Sequence, residues 1–576
     1  MANGIMYVDN IRVEFDDSHK SVLEVCAKAG VEVPNFCFHS DLSVYGACRM
    51  CMVEDDKGNI EAACQMAPRD GLKIRTNTSR LLRYRRTIME LILAAHCRDC
   101  TTCEKNRACR LQDMAMRFGI HDLRFKDTRN LPPVDHTSRA ITVDMSKCIL
   151  CGDCVRVCEE MQGMSILKFI GRGPDLRIAA TGDAQLGETH CVSCGQCSAV
   201  CTTGAITVKN EIGLAWKALH DPTKRVVFQI APAVRVALGE AYRLPPGENC
   251  LDQLVTALKI MGADEVYDTI FGADLTVREE GAEFLNRLQN GGTLPLMTSC
   301  CPAWVRYVEQ ERPEFLKNLS SALSPMQMFA TVLKDHYQAK DAEDGRKTFH
   351  IAIMPCTAKK MEAARPEFRR FGEPNVDLVL TTQEVIKMIK ESGINFTQLE
   401  KESPDLPYGM GSGAAEIFGS TGGVAEAVVR FCMPEKDKNT LRMIANSGLR
   451  GNEPIRRATV RVGERDVRVA VVNGLANAKT MLDRIASGEE EVDIVEVMSC
   501  RGGCVSGAGQ PYSLMPDKLK RAEGLYEIDR SAMFKRSERN PVLNVMYAED
   551  LDKRHHELLH HSYYAAKMAA EDPVTE

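Results

Sequence analysis

Three short stretches in the second half of the chain converge on cysteine: Thr298-Ser-Cys-Cys-Pro-Ala-Trp304, Met354-Pro-Cys-Thr-Ala-Lys-Lys360 and Met498-Ser-Cys-Arg-Gly-Gly-Cys504. A thiolate is a soft ligand that suits iron–sulfur clusters, zinc or copper rather than hard cations. Four of these five cysteines, gathered from distant loops, can hold one metal centre and leave the fifth free for chemistry.

The first two hundred residues are richer still. Cys148-x2-Cys151-x2-Cys154-x3-Cys158 and Cys191-x2-Cys194-x2-Cys197-x3-Cys201 are two copies of one pattern, the two-cluster ferredoxin spacing. In that pattern the fourth cysteine of each run ligates the other cluster. The expected sets are therefore Cys148, Cys151, Cys154 and Cys201, and Cys191, Cys194, Cys197 and Cys158. Glu159 and Thr202 stand where a proline usually follows, but the ligand spacing is intact. Upstream, Cys37, Cys48, Cys51 and Cys64 depart from the plant-type rule, with ten residues before the tight pair instead of four. They resemble the [2Fe–2S] domain that begins the large peripheral subunit of NADH:quinone oxidoreductases and some hydrogenases; structural zinc is the competing reading. His96-x3-Cys100-x2-Cys103-x5-Cys109 carries the same resemblance, which implies a [4Fe–4S] cluster with one histidine ligand, Cys97 being a spectator. Replacing a thiolate by imidazole removes a negative charge and raises the potential. Four such sites in a row make an electron wire.

The elements that must position these residues follow from patterning. Short apolar stretches at Ile5–Val8 and Ile11–Val13 and a helix near Val22–Ala29 open the chain, and Leu81–Ala95 reads as a helix with Arg83, Arg85 and Arg86 on a solvated face. Asp127–Asp135, with paired prolines, reads as a linker. From Arg225 onward, apolar runs at Val226–Ile230, Leu294–Met297, Phe349–Ile353, Val467–Val472 and Val492–Val497 each precede a loop and a helix. Buried strands alternating with helices predict α/β architecture with mainly parallel sheets, whose sites form at the carboxyl ends of strands. Twenty-four cysteines in 576 residues argue for metal ligation over a disulfide scaffold, which belongs to small secreted domains. A net charge of −6 without a basic tract argues against nucleic acid. With no leader in Met1–Asn10 and no run of eighteen apolar residues, the expectation is a cytoplasmic protein without a membrane segment.

TSCCPAW, MPCTAKK and the stretch Glu496–Pro511 resemble the three signatures of [FeFe]-hydrogenases, and with the upstream sites the resemblance covers nearly the whole chain. It implies a multidomain α+β and α/β protein: a β-grasp [2Fe–2S] domain over 1–78, a His-ligated [4Fe–4S] domain over 79–126, a two-cluster ferredoxin-like domain over 139–209, an α/β catalytic domain over 215–514, and a terminal segment over 515–576 that wraps it. It further implies an H-cluster: a [4Fe–4S] part held by Cys301, Cys356, Cys500 and Cys504, with Cys504 bridging to a di-iron part bearing CO, CN and azadithiolate. One [2Fe–2S] and three [4Fe–4S] accessory clusters complete the cofactors. The reaction is the reversible interconversion of H2 with two protons and two electrons. Cys300 becomes the proton-exchanging thiol, with Glu280, Ser320, Glu283 and Arg287 as the path to solvent; without the resemblance, Glu280 reads as surface decoration. Lys359 is expected to donate to a cyanide, and Pro232, Ala233, Met354, Met498 and Gly422 to line the di-iron pocket. The glycines of Gly419–Gly423 serve close backbone approach, since a P-loop's lysine and spacing are missing.

Several positions depart from the family. Ala233 replaces a serine, Met326 a glutamine, and Ser499, Arg501 and Ala508 replace alanine, proline and glycine. Arg501, between two cluster cysteines, is expected to raise the cubane potential. The terminal histidines His555–His561 read as helix surface ahead of a metal site. Ferredoxin or NAD(P)-linked flavoprotein subunits are the expected partners, and maturation proteins must install the di-iron part. The alternatives are an electron-transfer subunit of an NADH-dehydrogenase-like complex, which leaves Cys301, Cys356, Cys500 and Cys504 unexplained, and a non-catalytic relative in cluster assembly or H2 sensing.

Overall fold

The computed structural model describes residues 4–434, 438–513 and 515–565. Met1–Asn3 of the first expected domain and residues 566–576 of the last lie outside the described residues.

The amino-terminal unit is a five-stranded sheet in the order Ile11–Phe15, Gly4–Val8, Lys73–Arg75, Met52–Asp55, Ile60–Ala62. Val22–Lys28 packs on it as a helix, opened by Ser21 and Glu24 in a capping box. The helix Ser79–Ala94 follows, and here one expectation is corrected. Arg85 is buried and donates to the carbonyls of Met50 at 3.1 Å, Thr76 at 2.7 Å and Met52 at 2.5 Å. Carbonyls on both sides of Cys51 thereby gain a charged donor, so this arginine staples the helix to the cysteine loop.

Two short hairpin-like pairs, Ile141–Val143 with Ile206–Val208 and Leu167–Ile170 with Arg177–Ala180, frame the two repeated cysteine runs. The second half holds two sheets. One is wholly parallel, ordered Glu265–Asp268, Lys224–Ile230, Lys347–Met354, Leu378–Thr381. The other runs Leu296–Met297, Ile494–Met498, Arg465–Asn473, Ile455–Val462, parallel except for its last pair. The antiparallel edge strand Ile455–Val462 alternates buried and exposed residues and was absent from the sequence reading. The long helices Ile270–Asn290 and Pro325–Asp344 pack against each other beside these sheets. Among the described residues no helix is long and apolar enough to cross a membrane.

Candidate active site and its cluster-binding loops

Parallel strands from both sheets end at one cavity. Lys347–Met354 delivers Cys356, Ile494–Met498 delivers Cys500, Leu296–Met297 leads to Cys300 and Cys301, and Lys224–Ile230 leads to Pro232 and Ala233. Cys301 is the N-cap of the helix Pro302–Glu311, whose proline at the first turn costs no hydrogen bond. Gly503 (φ +90°) lets the last loop turn against a neighbouring chain segment, where a β-carbon would sit 2.5 Å from Thr421 N.

The cavity, about 90 Å³, is lined by Cys300, Cys301, Cys356, Cys500 and Cys504 with Pro232, Ala233, Met354, Lys359 and Met498. Burial raises all five thiols, and Cys301 and Cys356 add to the effect on both Cys500 and Cys504. Thiols driven this far from ionisation in a dry pocket need cationic compensation, which iron supplies. Among the described residues no three His, Cys, Asp or Glu side chains draw together as for a single ion. A quartet of soft thiols lining one cavity fits an iron–sulfur cluster.

Lys359 is buried and donates to Ser324 Oγ (2.8 Å) and Glu362 Oε2 (2.7 Å). Burial works against its charge, yet Glu362 wins and holds the ammonium above its ordinary value. An ammonium has three donors, so one remains for the cavity. Ala233 presents its carbonyl to Gln510 Nε2 at 2.8 Å. Gly422 is a correction. It does not line the cavity, which Gly419 reaches instead. Its amide donates to Glu496 Oε1 (2.6 Å) while Ala425 N donates to Oε2 (2.8 Å). A buried carboxylate thus occupies the N-terminus of the helix Gly423–Cys432, where its charge suits the helix dipole.

Glu280 is fully buried, which sequence alone would not have told. Burial pushes its carboxyl up to about 8, with the Glu283 charge adding and the Ser299 backbone N–H opposing. Glu280 Oε1 accepts from Ser299 N–H at 3.3 Å, and nearby Ser320 draws its carboxyl down slightly while donating its own hydroxyl to Glu283 Oε2 at 3.0 Å; Arg287 donates to Glu283 Oε1. Cys300 feels the Glu280 charge most among its neighbours.

The accessory cysteines lie in groups of their own. Cys158 joins Cys191, Cys194 and Cys197 around a second cavity. Cys154, raised by burial, next feels Cys151, Cys148 and Cys201. His96 lines a third with Cys97, Cys100, Cys103 and Cys109. Burial and then Arg129 push its imidazole down to about 4, the neutral state a ligand needs, and Arg98 N–H engages Nδ1 at 3.0 Å. Cys48 N–H points at Cys37 Sγ and Phe36 N–H at Cys48 Sγ, both at 3.4 Å, and Cys51 hydrogen-bonds with Cys64.

These sites are not strung in a single row. Arg156, in the first ferredoxin run, donates to Cys37 O at 3.0 Å, tying in the amino-terminal site. Cys109 Sγ lies 4.0 Å from Thr202 O, and Gly204 lines the His96 cavity, tying in that site separately. Two branches therefore meet the ferredoxin-like domain at different places, one at its first run and the other just after Cys201. The second run abuts the active cavity: Cys194 lines it, and Gln196 Nε2 donates to Cys500 Sγ at 3.1 Å. Gln196 sits inside a ligand motif whose spacing says nothing of its side chain, so it was missed.

Family models agree with the geometry. Residues 224–508 match the iron only hydrogenase large subunit, C-terminal domain, and residues 517–566 the iron hydrogenase small subunit. Residues 6–79 match a 2Fe-2S iron-sulfur cluster binding domain, 85–124 the NADH-ubiquinone oxidoreductase-G iron-sulfur binding region, and 147–205 a 4Fe-4S dicluster domain. The chain is 38% identical to the NADP-reducing hydrogenase subunit HndD of Solidesulfovibrio fructosivorans, over 94% of this chain and 96% of that protein. The chain belongs to the [FeFe]-hydrogenases. It is also 34% identical to iron hydrogenase 1 of Clostridium pasteurianum, over 96% and 98% of the two chains. A solved variant of [FeFe]-hydrogenase HydA1 from Chlamydomonas reinhardtii is 34% identical, with a TM-score of 0.54, covering 62% of this hydrogenase and 99% of that chain. As a hydrogenase it oxidises H2 and relays electrons through iron–sulfur clusters, and the reading as an electron-transfer subunit without H2 chemistry is set aside.

Proposed function

We propose that Cys301, Cys356, Cys500 and Cys504 hold the cubane of an H-cluster, and that Cys300, Glu280, Ser320 and Glu283 carry protons to and from it. When bound, that cluster supplies the centre at which H2 is split heterolytically and its electrons are taken up. The chain's own residues do the rest. Lys359, locked by Glu362 and Ser324, directs its third N–H into the pocket, where a buried ammonium stabilises an anionic ligand. Pro232, Ala233, Met354 and Met498 keep water out. Cys300 exchanges a proton with Glu280, whose raised carboxyl is mostly protonated at neutral pH and is therefore able to donate. Ser320 hands the proton on to Glu283.

Electrons leave through the cluster of Cys158, Cys191, Cys194 and Cys197, then that of Cys148, Cys151, Cys154 and Cys201. From there either branch is open: the [2Fe–2S] site of Cys37, Cys48, Cys51 and Cys64, or the [4Fe–4S] site of His96, Cys100, Cys103 and Cys109. Two outlets suit a chain that serves a partner subunit as well as a free carrier. The likeness to an NADP-reducing hydrogenase subunit favours an NAD(P)-linked flavoprotein subunit as the main partner.

The observation that carries the reading is the convergence of four cysteines from three strand-end loops, and one spare thiol, on a single largely apolar cavity. Purified, matured protein is expected to show CO and CN stretches in the infrared and H2-dependent reduction of viologen. Loss of both bands and activity in Cys504→Ser, with accessory clusters intact by electron paramagnetic resonance, supports it. Full activity in that variant refutes it.

A further inference from the structure

Arg287 is the outermost group of the expected proton path, and it is poorly suited to passing a proton. Its guanidinium donates to Glu283 and to the carbonyls of Thr293, Lys317, Asn318 and Leu319. A guanidinium stays charged over the whole working range, so Arg287 positions Glu283 and does not relay. Glu283 needs another neighbour that can both take and pass on a proton.

The carboxy-terminal segment supplies one. Ser321 Oγ donates to Glu283 Oε2 at 3.1 Å, and Ser321 N–H adds a bond of 3.0 Å. The same hydroxyl lies 2.9 Å from His560 Nδ1, and His560 Nε2 lies 2.9 Å from Glu279 Oε2. Backbone pairing fixes the ring there: Leu323 N–H donates to Leu559 O (2.8 Å) and His561 N–H to Ser321 O (2.7 Å). Beyond it stand His556 and His555, with ring centroids 4.7 and 6.0 Å from that of His560, and His556 is exposed.

We propose that His560 is the outer proton relay of this hydrogenase, linking Glu283 through Ser321 to solvent, with His556 and His555 gathering protons at the surface. The proposal rests on reading Glu280, Ser320 and Glu283 as the inner path. Histidine is the side chain that changes charge near neutral pH. In the inward direction an imidazolium gives its Nδ1 proton to Ser321 Oγ as Ser321 gives its own to the Glu283 carboxylate. The hydroxyl then turns, and solvent reprotonates the ring by way of His556. The outward direction reverses each transfer, and no electron moves in either. Glu279 stays a charged acceptor for Nε2–H: burial works to raise it, but hydrogen bonds from His560 and Tyr547 outweigh burial and hold it low. The charged and titratable groups around the ring are Glu279, Glu283 and Arg287 from the helix Ile270–Asn290, Tyr547 behind Glu279, with Arg278 over its ring, and His555, His556 and His561 from its own segment. The facing stretch Ser320–Leu323 adds none.

The test uses the matured holoenzyme, with H2 evolution from reduced viologen followed between pH 5.5 and 9. His560→Ala is expected to slow turnover about tenfold and alter the pH profile; that is less than the ~10²–10⁴-fold of an essential acid–base group, because water still reaches Glu283 slowly. Added imidazole is expected to restore most of the rate. Wild-type infrared CO and CN bands show that the site is intact; if His560→Ala lacks them, His560→Asn is read in its place. Glu283→Gln runs in parallel. If Glu283→Gln keeps its full rate, the inner path itself falls. If Glu283→Gln is slow while the His560 variant keeps the wild-type rate and pH profile, or loses rate that imidazole does not restore, the outer relay is overturned.

Discussion

The electron side and the proton side of the cavity are built from different materials. Where the second ferredoxin run docks, the contacts nearest the cavity are neutral: Gln196 to Cys500, Thr357 Oγ1 to Ser193 O at 2.8 Å, and Gln162 paired both ways with Ser499 at 3.0 Å, while a His190–Glu311 pair at 2.9 Å stands at the exposed rim. Where the proton path runs, carboxyl or imidazole groups alternate with serine hydroxyls: Glu280, Ser320, Glu283, Ser321, His560. An electron needs only fixed, short separations, so amides and backbone suffice to lock one loop on another. A proton needs an unbroken line of groups that can each gain and lose it. Glu280 is fully buried on that side, with the desolvation that this costs.

Breaking the proton side should have the largest effect. Cys300→Ala removes the thiol between Glu280 and the cavity, and turnover should fall by about 10²–10⁴-fold. Its accessory-cluster paramagnetic resonance signals should match wild type, because no ligand is touched. A loss of those signals would mean that the two sides are not separable. Glu280→Gln should fall by a similar factor while keeping the fold, since glutamine mimics the protonated acid that burial favours. It also sharpens the comparison through stability. The folded protein holds this proton up to about 8, whereas an unfolded glutamate releases it near ~4.3. The contribution is full below the unfolded value and is lost as pH rises through the folded one. Between pH 6 and 9 the Tm of wild type should therefore drop more than that of Glu280→Gln. Parallel Tm curves would show that the carboxyl is not held protonated.

Much of this was legible because cysteine spacing is itself chemistry. The crossover of Cys158 and the placement of Cys356 and Cys500 after parallel strands follow from pattern rules alone. What was not legible depends on where a polar side chain points after folding. Arg85 sits among arginines of a helix face, and only the fold shows that it alone turns inward to three carbonyls. Glu280 shows the same blindness from the other side, because a helix of moderate polarity hides a carboxylate at 0% exposure. His560 and Ser321 are 239 positions apart, and no local signal joins them.

On the electron side the effects should be smaller and visible as potentials. Gln196→Leu removes the N–H donated to Cys500 in a site where Gln196 is buried. Hydrogen bonds to cluster sulfurs favour the more negative, reduced state and so raise the potential. Losing one bond worth about 1 kcal/mol should lower the cubane potential by roughly 40 mV in a one-electron titration, with turnover changed only a few-fold. A shift of opposite sign would remove Gln196 from the account of that side.

Arg501 should give the smallest effect, contrary to what its place between two ligands suggests. Its guanidinium does not turn to the cavity, which it does not line, but lies 3.5 Å from Asp41 in the amino-terminal unit. The side chain keeps 36% of its exposure, so solvent and Asp41 share the screening of its charge. Ion pairs this open are worth about 0–1 kcal/mol, and the residual field at the cubane is weaker still. Spectroelectrochemistry of Arg501→Gln should show a downward shift of no more than about 20 mV, half that of Gln196→Leu. The pair instead ties the last cysteine loop to the domain that holds Cys37 and Cys48. A larger shift in Arg501→Gln than in Gln196→Leu would restore the charge as the dominant influence and reverse the ranking of the two residues.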